Sequence, residues 1–270
     1  MEVWQADFYK YSPLNAAKQV FWQLLICNTV GDIIWESRCL QAEATANWLT
    51  SQLATATGDR SPDLIQVFRP QSFSLIETAA EKLGIKIEAT RRTPAIKELL
   101  KTRATGTADP LYLEKLPPQP LPENLWGEQW RFAALPAGEI VEFFRDRRLP
   151  ILAVPNLLLP INLGIASTVL IPGTIVYGGR KSMYLARWLQ AADPVALNYI
   201  PSEVGQSGGL VLEAGLCDRW IIATFEDAEV ARSAQLYEQR KQISGGLHFL
   251  LVQPDESGVT YSGFWLLRNE

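Results

Sequence analysis

The sequence predicts a mixed α/β fold, in which short β-strands alternate with amphipathic helices. The chain has 270 residues, of which 47% are hydrophobic and 20% charged, an ordinary balance for a globular protein. Apolar runs bounded by turn residues are typical of strands. Between these runs lie stretches in which apolar residues recur three and four positions apart, as in helices that bury one face. The length allows one large domain or two ordinary ones.

The first hundred residues contain predicted strands and helices in a distinctive order. Strands are predicted at Trp4–Tyr9, Gln19–Asn28, Ile33–Leu40, Leu64–Phe68 and Ile85–Ala89. Helices are predicted at Ala42–Ala56, Ser72–Leu83 and Pro94–Arg103. Gly84 ends the second helix, and Pro94 suits the first turn of the third. Three strands followed by alternating helices and strands form the pattern of a ribonuclease H-like fold, which we therefore predict for residues 1–104.

Residues 105–127 are predicted to be a linker, because they are rich in proline. A proline-rich segment favours an extended, semi-rigid chain. The prolines are Pro110, Pro117, Pro118, Pro120 and Pro122. This interpretation divides the chain into a domain of residues 1–104 and a domain of residues 128–270.

The second domain is also predicted to be mixed α/β. Its predicted strands are Gln129–Leu135, Ile151–Val154, Val169–Tyr177, Pro194–Ile200, Leu210–Leu216, Trp220–Phe225, Leu247–Val252 and Thr260–Leu267. Its predicted helices are Ala137–Arg147, Met183–Ala191 and a helix that starts near Thr224 and Asp227 and ends at Gly245-Gly246. Residues 149–179 carry no charge, but four prolines divide them into pieces too short to span a membrane. We expect no integral span and leave peripheral membrane contact open.

The overall charge is not that of a typical nucleic-acid-binding domain. The net charge is −4 and the isoelectric point is about 5.3, whereas such domains are usually basic. Two segments are locally basic: residues 131–190 hold seven basic and three acidic side chains, and residues 91–103 hold five basic and one acidic. Each segment is either a contact for a nucleic-acid backbone, which needs such clusters, or an ordinary solvated face.

The turn Gly178-Gly179-Arg180-Lys181-Ser182 is the sharpest candidate for an anion contact. It follows a predicted strand and precedes a predicted helix, so its backbone N–H groups and the helix dipole favour an anion there. It lacks the spacing of a Walker A motif. We therefore expect Arg180 and Lys181 to contact the phosphates of a nucleic acid, with a solvated strand-to-helix turn as the alternative.

A nuclease is the enzymatic alternative that the predicted fold suggests. Ribonuclease H-like nucleases hold magnesium through several carboxylates. Asp7 on the first strand and Glu43 near the first helix are suitably placed, but Asp63 precedes its strand. The chain has one histidine, His248, which cannot build a histidine-based metal site alone. Because the carboxylate set is incomplete, we expect a protein that is not an enzyme and has no metal or cofactor.

Four stretches carry a resemblance to a known family. They are Trp4–Tyr9, Pro117–Trp126, Gly209–Trp220 and Gly263–Arg268. Their amino-acid sequences resemble those of the Tab2/Atab2 family of cyanobacteria and plastids, and the likeness extends over essentially the whole chain. The resemblance implies an RNA-binding factor that recognises A/U-rich single-stranded 5′ regions of photosystem I reaction-centre messages and promotes their translation. Ribosomes or translation factors are further partners that it suggests. A scaffold that binds other proteins during photosystem assembly remains an alternative.

The resemblance also marks the end of the chain, Trp265, Leu266 and Leu267, as RNA-contacting, and Arg268 follows directly. Side chains alternate along a strand, so we expect Phe264 and Leu266 to face the core and Trp265 and Leu267 to face RNA. On this hypothesis Trp265→Ala costs RNA affinity, about 1–3 kcal/mol, with little loss of stability.

The predicted first strand begins within the first few residues. These residues contain neither the apolar core of a signal peptide nor an Arg/Ser-rich transit segment. Three cysteines are too few and too scattered for a disulfide framework. Both observations favour a reducing compartment. For a family that is also found in plastids, they lead us to expect a cytoplasmic bacterial protein.

Overall fold

A computed structural model of the chain describes residues 1–11, 19–58, 60–104, 109–113, 115–145 and 147–269. The chain forms two compact units, residues 1–115 (unit 1) and residues 116–270 (unit 2). Both units combine β-sheets with helices. This confirms the mixed α/β class that the sequence predicts.

Unit 1 is built on one five-stranded sheet. Its strands are β1 (Val3–Tyr11), β2 (Phe21–Asn28), β3 (Ile33–Leu40), β4 (Leu64–Val67) and β5 (Lys86–Ala89). Its helices are α1 (Ala46–Thr57), α2 (Pro70–Glu81) and α3 (Pro94–Arg103). The strand order is β3-β2-β1-β4-β5, with antiparallel pairing among the first three strands and parallel pairing of β1, β4 and β5. The specific likeness to a ribonuclease H-like fold stays a prediction.

The start of α1 differs from the sequence prediction. Residues 41–43 form a short 3₁₀ turn, and α1 begins at Ala46 rather than at Ala42. Thr45 sets this start, because its hydroxyl oxygen accepts a hydrogen bond from the backbone N–H of Trp48 at 3.3 Å. A threonine at this position satisfies an N–H group that has no partner within the helix.

Both faces of the unit 1 sheet are covered. On one face, α1 and α2 pack Leu49, Leu53 and Ile76 against the sheet. On the other face, α3 packs Ile96 and Leu100 against it. Residues 109–113 belong to this second face, where Leu111 and Leu113 are partly buried.

Unit 2 contains two sheets and three helices among its described residues. Its strands are β6 (Gln119–Pro120), β7 (Gln129–Pro136), β8 (Ile151–Ala153), β9 (Leu170–Tyr177), β10 (Pro194–Glu203), β11 (Ser207–Ala214), β12 (Asp218–Glu226), β13 (Leu247–Gln253) and β14 (Gly263–Arg268). Its helices are α4 (Ile140–Arg145), α5 (Ser182–Ala192) and α6 (Ala228–Ile243). Asp227 is confirmed as the start signal of α6, because its carboxylate caps the helix. The other predicted signal, Thr224, is wrong, because Thr224 lies within β12.

One sheet has the order β10-β11-β12-β6, and the other has the order β7-β9-β13-β14-β8. We call the second one the C-terminal sheet. A shared core fills the space between the two sheets and α5, and it includes Leu185, Leu210 and Leu250. A second core lies on the opposite face of the C-terminal sheet, where residues of α4 and of the uncharged stretch 149–169 cover Phe249 and Leu251.

The proline-rich segment is more than a connection. Leu121 and Leu125 are each 3% exposed and belong to the core between the sheets of unit 2. Gln119 and Pro120 form β6, which pairs in parallel with β12. The second half of the predicted linker therefore packs into unit 2. Within the described part of the chain, no helix is long and apolar enough to cross a membrane.

Candidate nucleic-acid interface

The C-terminal strand β14 is buried on both faces. Trp265 is 1% exposed and Leu267 2%, while Phe264 on the other face is 0% exposed and Leu266 2%. Trp265 and Leu267 lie in the core between the two sheets, and Phe264 and Leu266 lie in the core under α4. The predicted exposure of Trp265 and Leu267 is therefore wrong, because the C-terminal sheet is a middle layer with a cover on each side.

In this arrangement the indole of Trp265 has no free face on which a base could stack. Trp265, Leu266 and Leu267 have extensive packing contacts instead, and Phe264 lies 5.5 Å from the ring centre of Phe249. A contribution of Trp265, Leu266 and Leu267 to RNA binding stays a prediction. It requires these side chains to act by fixing the position of neighbouring residues rather than by stacking.

Arg268 is the last residue of this strand and contacts the turn that follows helix α6. Its Nε donates a hydrogen bond to the carbonyl oxygen of Gly245 at 3.1 Å, and the next residue, Asn269, donates its backbone N–H to Gly246 at 3.0 Å. A cation beside the last carbonyls of a helix is stabilising. Arg268 is thus partly committed to a structural contact.

The turn that holds Arg180 and Lys181 does not have the free N–H groups that the sequence predicts. The backbone N–H groups of Gly178 and Gly179 donate to the carbonyl oxygens of Gln253 at 2.9 Å and Pro254 at 3.0 Å. The N–H of Lys181 donates to Gly178 at 2.9 Å. The expected backbone cradle for phosphate is therefore wrong. Arg180 and Lys181 themselves are exposed, so the cations remain available to an anion.

The structure does not bring the predicted site residues together. Arg180 and Lys181 follow Tyr177, which pairs with Gln253 at one end of β13. Arg268 pairs with Leu247 at the other end of β13. Six residue steps along a strand separate these ends by about 20 Å. A single RNA contact through both groups would have to extend along the length of the C-terminal sheet.

Helix α5 presents an exposed face that continues from the Arg180-Lys181 turn. Its buried residues are Ser182, Leu185, Ala186 and Leu189, and the three apolar ones pack in the core of unit 2. Its opposite face carries Tyr184 and Arg187, which are exposed. Because residues three and four positions apart share a helix face, Tyr184 and Arg187 lie on the same side as the cations of the turn.

The segment before β7 adds a second exposed aromatic ring beside this helix. Trp126 is 47% exposed and Tyr184 is 56% exposed. The side-chain amide of Asn124, two residues before Trp126, donates to the hydroxyl oxygen of Tyr184 at 3.4 Å. The indole N–H of Trp126 donates to the carbonyl oxygen of Leu121 at 2.6 Å. We refer to Trp126, Tyr184, Arg180, Lys181 and Arg187 as the α5 surface.

Sequence analysis missed the two aromatic members of the α5 surface. For Tyr184 a signal existed, since it falls between the buried positions of an amphipathic helix. Trp126 ends one of the four stretches that carry the family resemblance, but its proline-rich context indicated a linker rather than a site. Acidic groups lie close to the α5 surface. The carboxylate of Glu128 lies against Gly179, where an added Cβ would be 2.0 Å from Oε1, and Glu123 is exposed nearby in sequence.

In unit 1, the candidate nuclease residue Asp7 is committed to an ion pair. Asp7 is 0% exposed, and both of its carboxylate oxygens accept hydrogen bonds from Arg69, with Nε to Oδ1 at 2.9 Å and Nη2 to Oδ2 at 2.9 Å. Burial raises the pKa of Asp7 from its ordinary value, while the Arg69 guanidinium acts in the opposite direction. Glu43 is exposed and accepts from the backbone N–H of Leu40. The carboxylate oxygens of Asp7 are therefore engaged by a cation of the chain itself.

His248 is a structural residue at the junction of β13, β10 and α6. Its Nε2 accepts a hydrogen bond from the backbone N–H of Leu197 at 2.8 Å, and its Nδ1 donates to the carbonyl oxygen of Gly246 at 2.8 Å. Tyr237 and Lys241 of α6 both donate to the carbonyl oxygen of Leu197 at 3.0 Å. The acceptor role of Nε2 requires a neutral ring, and burial, together with the Lys241 charge, lowers the pKa of His248 to about 3.

We expect the stability of unit 2 to fall as the pH is lowered from about 6.5. The unfolded chain protonates His248 near its ordinary pKa of 6.5, but the folded chain does so only near 3. Between these values the unfolded state binds more protons, so stability rises with pH, with a slope approaching about 1.4 kcal/mol per pH unit. Urea unfolding between about pH 5 and 7.5 measures this slope. His248→Gln keeps an acceptor but does not titrate, and an equal slope in this variant would contradict the assignment.

Comparison with known sequences gives a consistent result over both units. A family model described as "RNA-binding protein Tab2/Atab2 N terminal" matches residues 3–103, and one described as "RNA-binding protein Tab2/Atab2, C-terminal domain" matches residues 108–268. Two similar relatives carry the name "Protein TAB2 homolog, chloroplastic". The chain is 28% identical to the Zea mays protein over 98% of this chain and 70% of that protein. It is 28% identical to the Arabidopsis thaliana protein over 98% of this chain and 74% of that protein.

Proposed function

The chain belongs to the Tab2/Atab2 family of RNA-binding proteins, and from this premise we propose that it binds A/U-rich single-stranded RNA in the 5′ regions of photosystem I reaction-centre messages. In this role it promotes their translation, together with ribosomes or translation factors. The observation that carries the proposal is the match of family models to both halves of the chain. A cytoplasmic location and a peripheral contact with membranes are parts of the same proposal.

The α5 surface supports the RNA-binding part of the proposal. Arg180, Lys181 and Arg187 are exposed together on it, although the chain as a whole is acidic, with a net charge of −4. A protein with this balance needs a local basic face to neutralise phosphates. In unit 1, the engagement of Asp7 by Arg69 disfavours a magnesium-dependent nuclease, which needs free carboxylates.

Crosslinking in cells followed by sequencing of the bound RNA tests the proposal. We expect reads to concentrate in the 5′ regions of photosystem I reaction-centre messages. Purified protein should also shift short A/U-rich single-stranded RNA without cleaving it when magnesium is added. Recovery of protein partners with no crosslinked RNA would overturn the proposal, and magnesium-dependent cleavage that Asp7→Asn abolishes would replace it with a nuclease.

We expect the double variant Arg180→Ala/Lys181→Ala to bind RNA more weakly, and to a similar extent for different sequences. For each phosphate contact that is lost, RNA binding releases about one fewer counterion. The slope of log affinity against log salt concentration should therefore flatten by about one to two units. Fluorescence anisotropy over a series of salt concentrations measures both quantities.

Glu128→Gln is the matched control for this experiment, because it removes a negative charge beside the same turn. It should strengthen RNA binding rather than weaken it. If the double variant keeps the salt slope of the unmodified protein, the Arg180-Lys181 turn is not a phosphate contact.

A further inference from the structure

We infer that Trp126 and Tyr184 form a stacking platform for unpaired bases of single-stranded RNA, on the α5 surface of unit 2. This inference rests on the proposed function and adds to it the place where bases, rather than phosphates, are held. It assigns the base contacts to side chains outside the C-terminal strand.

The exposure of the aromatic residues singles out this place. Among the described residues, three aromatic side chains are exposed: Tyr112 at 68%, Trp126 at 47% and Tyr184 at 56%. Tyr112 lies in unit 1 by itself, whereas Trp126 and Tyr184 belong to one surface. Asn124 connects the two, because it belongs to the same short segment as Trp126 and its amide contacts the Tyr184 hydroxyl. The other aromatic side chains in the described part of the chain are buried or half-buried.

The rings are held in place by the fold. Leu121 and Leu125, on either side of the 122–124 turn, are each 3% exposed in the core, and the indole N–H of Trp126 is bound by the carbonyl of Leu121. Tyr184 projects from a helix whose other face is buried. Because their polar atoms are engaged by the chain, the faces of these rings are what remains for a ligand. Stacking on fixed aromatic faces is how proteins hold unpaired bases without reading their sequence.

The surrounding charges indicate which ligand these rings would take. Arg180, Lys181 and Arg187 flank Tyr184 in the turn and on α5, so a ligand with a repeating negative backbone and aromatic bases is complementary to the surface. Glu123 and Glu128 reduce the local positive charge, and this makes stacking a necessary part of the affinity. A duplex conceals its base faces, so single-stranded RNA is the form that fits.

Binding of a fluorescently labelled oligo(U) strand to the full chain tests the platform. We expect Trp126→Ala and Tyr184→Ala each to weaken binding by at least about fivefold, the lower end of what one stacked base contributes. The salt slope should stay unchanged, because no phosphate contact is lost. Trp126→Phe and Tyr184→Phe keep a ring and should retain most of the affinity. A matching RNA duplex should bind the unmodified chain more weakly than the single strand does. Its affinity for the alanine variants should equal its affinity for the unmodified chain.

Tyr112→Ala is the matched control, because it removes an exposed aromatic side chain from unit 1 and should leave RNA affinity unchanged. Thermal unfolding of each variant verifies that it is folded, and photocrosslinking of 5-iodouridine RNA followed by mass spectrometry identifies the contacted peptide. Crosslinks to Trp126 or Tyr184 support the platform. If the unmodified chain binds RNA but both alanine variants bind equally well, the platform is wrong and the proposed function stands. If the unmodified chain binds no RNA, both fail.

Discussion

Trp265→Ala should lower the free energy of unfolding of unit 2 by about 3–5 kcal/mol, the usual cost of truncating a buried Trp or Phe to alanine. The side chain is 1% exposed and lies in the core between the two sheets. The substitution would leave a cavity that cannot collapse easily, because the indole packs directly against the backbone of its own strand. A Cβ added at Gly263 would lie 2.4 Å from Cη2 of Trp265.

Urea unfolding measures this effect, and Phe264→Ala should cause a loss of the same size from the opposite face of β14, where Phe264 is 0% exposed. Trp126→Ala provides the exposed-tryptophan control and should cost much less stability. RNA affinity should be measured on the folded fraction only, so that loss of protein is not mistaken for loss of a contact. A Trp265→Ala variant that unfolds like the unmodified protein would contradict the burial of this residue.

Arg69→Ala should destabilise unit 1 by about 3–5 kcal/mol, because it leaves a buried carboxylate without its partner. Asp7 is fully buried and Arg69 is the cation that contacts both of its oxygens. The same guanidinium also donates to the carbonyl oxygen of Pro110 at 2.9 Å. Its loss therefore also removes a hydrogen bond that holds residues 109–113. Hydrogen exchange of peptides from β1 and of residues 109–113 locates the effect in unit 1.

The double variant Arg69→Ala/Asp7→Asn separates the charge from the packing. It should recover much of the lost stability, since a neutral amide is far less costly to bury than an unpaired carboxylate. In Arg69→Ala alone, the charge and the hydrogen bonds of Arg69 no longer oppose the effect of burial, so the folded pKa of Asp7 rises further above its unfolded value. The folded state then binds an extra proton in the window between the two values. The penalty should therefore shrink as the pH is lowered toward the ordinary pKa of 3.8, and a penalty independent of pH would contradict the charge argument.

Local signals in the sequence predicted most of the elements. The bounds of β3 and α3 match the prediction, because a turn containing Gly31 and a proline at the first helical position define their starts without help from distant residues. The start of α1 was missed by four residues, since the capping role of Thr45 depends on a backbone geometry that the apolar periodicity does not reveal.

The candidate site was harder to predict because its features depend on contacts between distant segments. The alternation of side chains along β14 correctly places Phe264 and Trp265 on opposite faces of the sheet, but it cannot show that both faces are covered. One cover comes from residues 149–169, and the other comes from α5 and the sheet β10-β11-β12-β6. Similarly, Asp7 and Arg69 are separated by 62 positions, so the ion pair that engages the candidate nuclease carboxylate has no local signature.

The position of β14 inside the C-terminal sheet affects how the protein can be made. β14 is the last strand in chain order, yet it lies between β13 and β8, and β8 pairs in this sheet only with β14 among the described residues. During synthesis from the N-terminus, β8 and the apolar residues 149–169 emerge long before the strand that they need. Unit 1 can close its sheet without waiting, whereas unit 2 must hold an incomplete apolar layer until β14 arrives. Such long-range pairing slows folding and leaves apolar surface exposed to aggregation. We therefore expect chaperones to bind the nascent chain chiefly at unit 2.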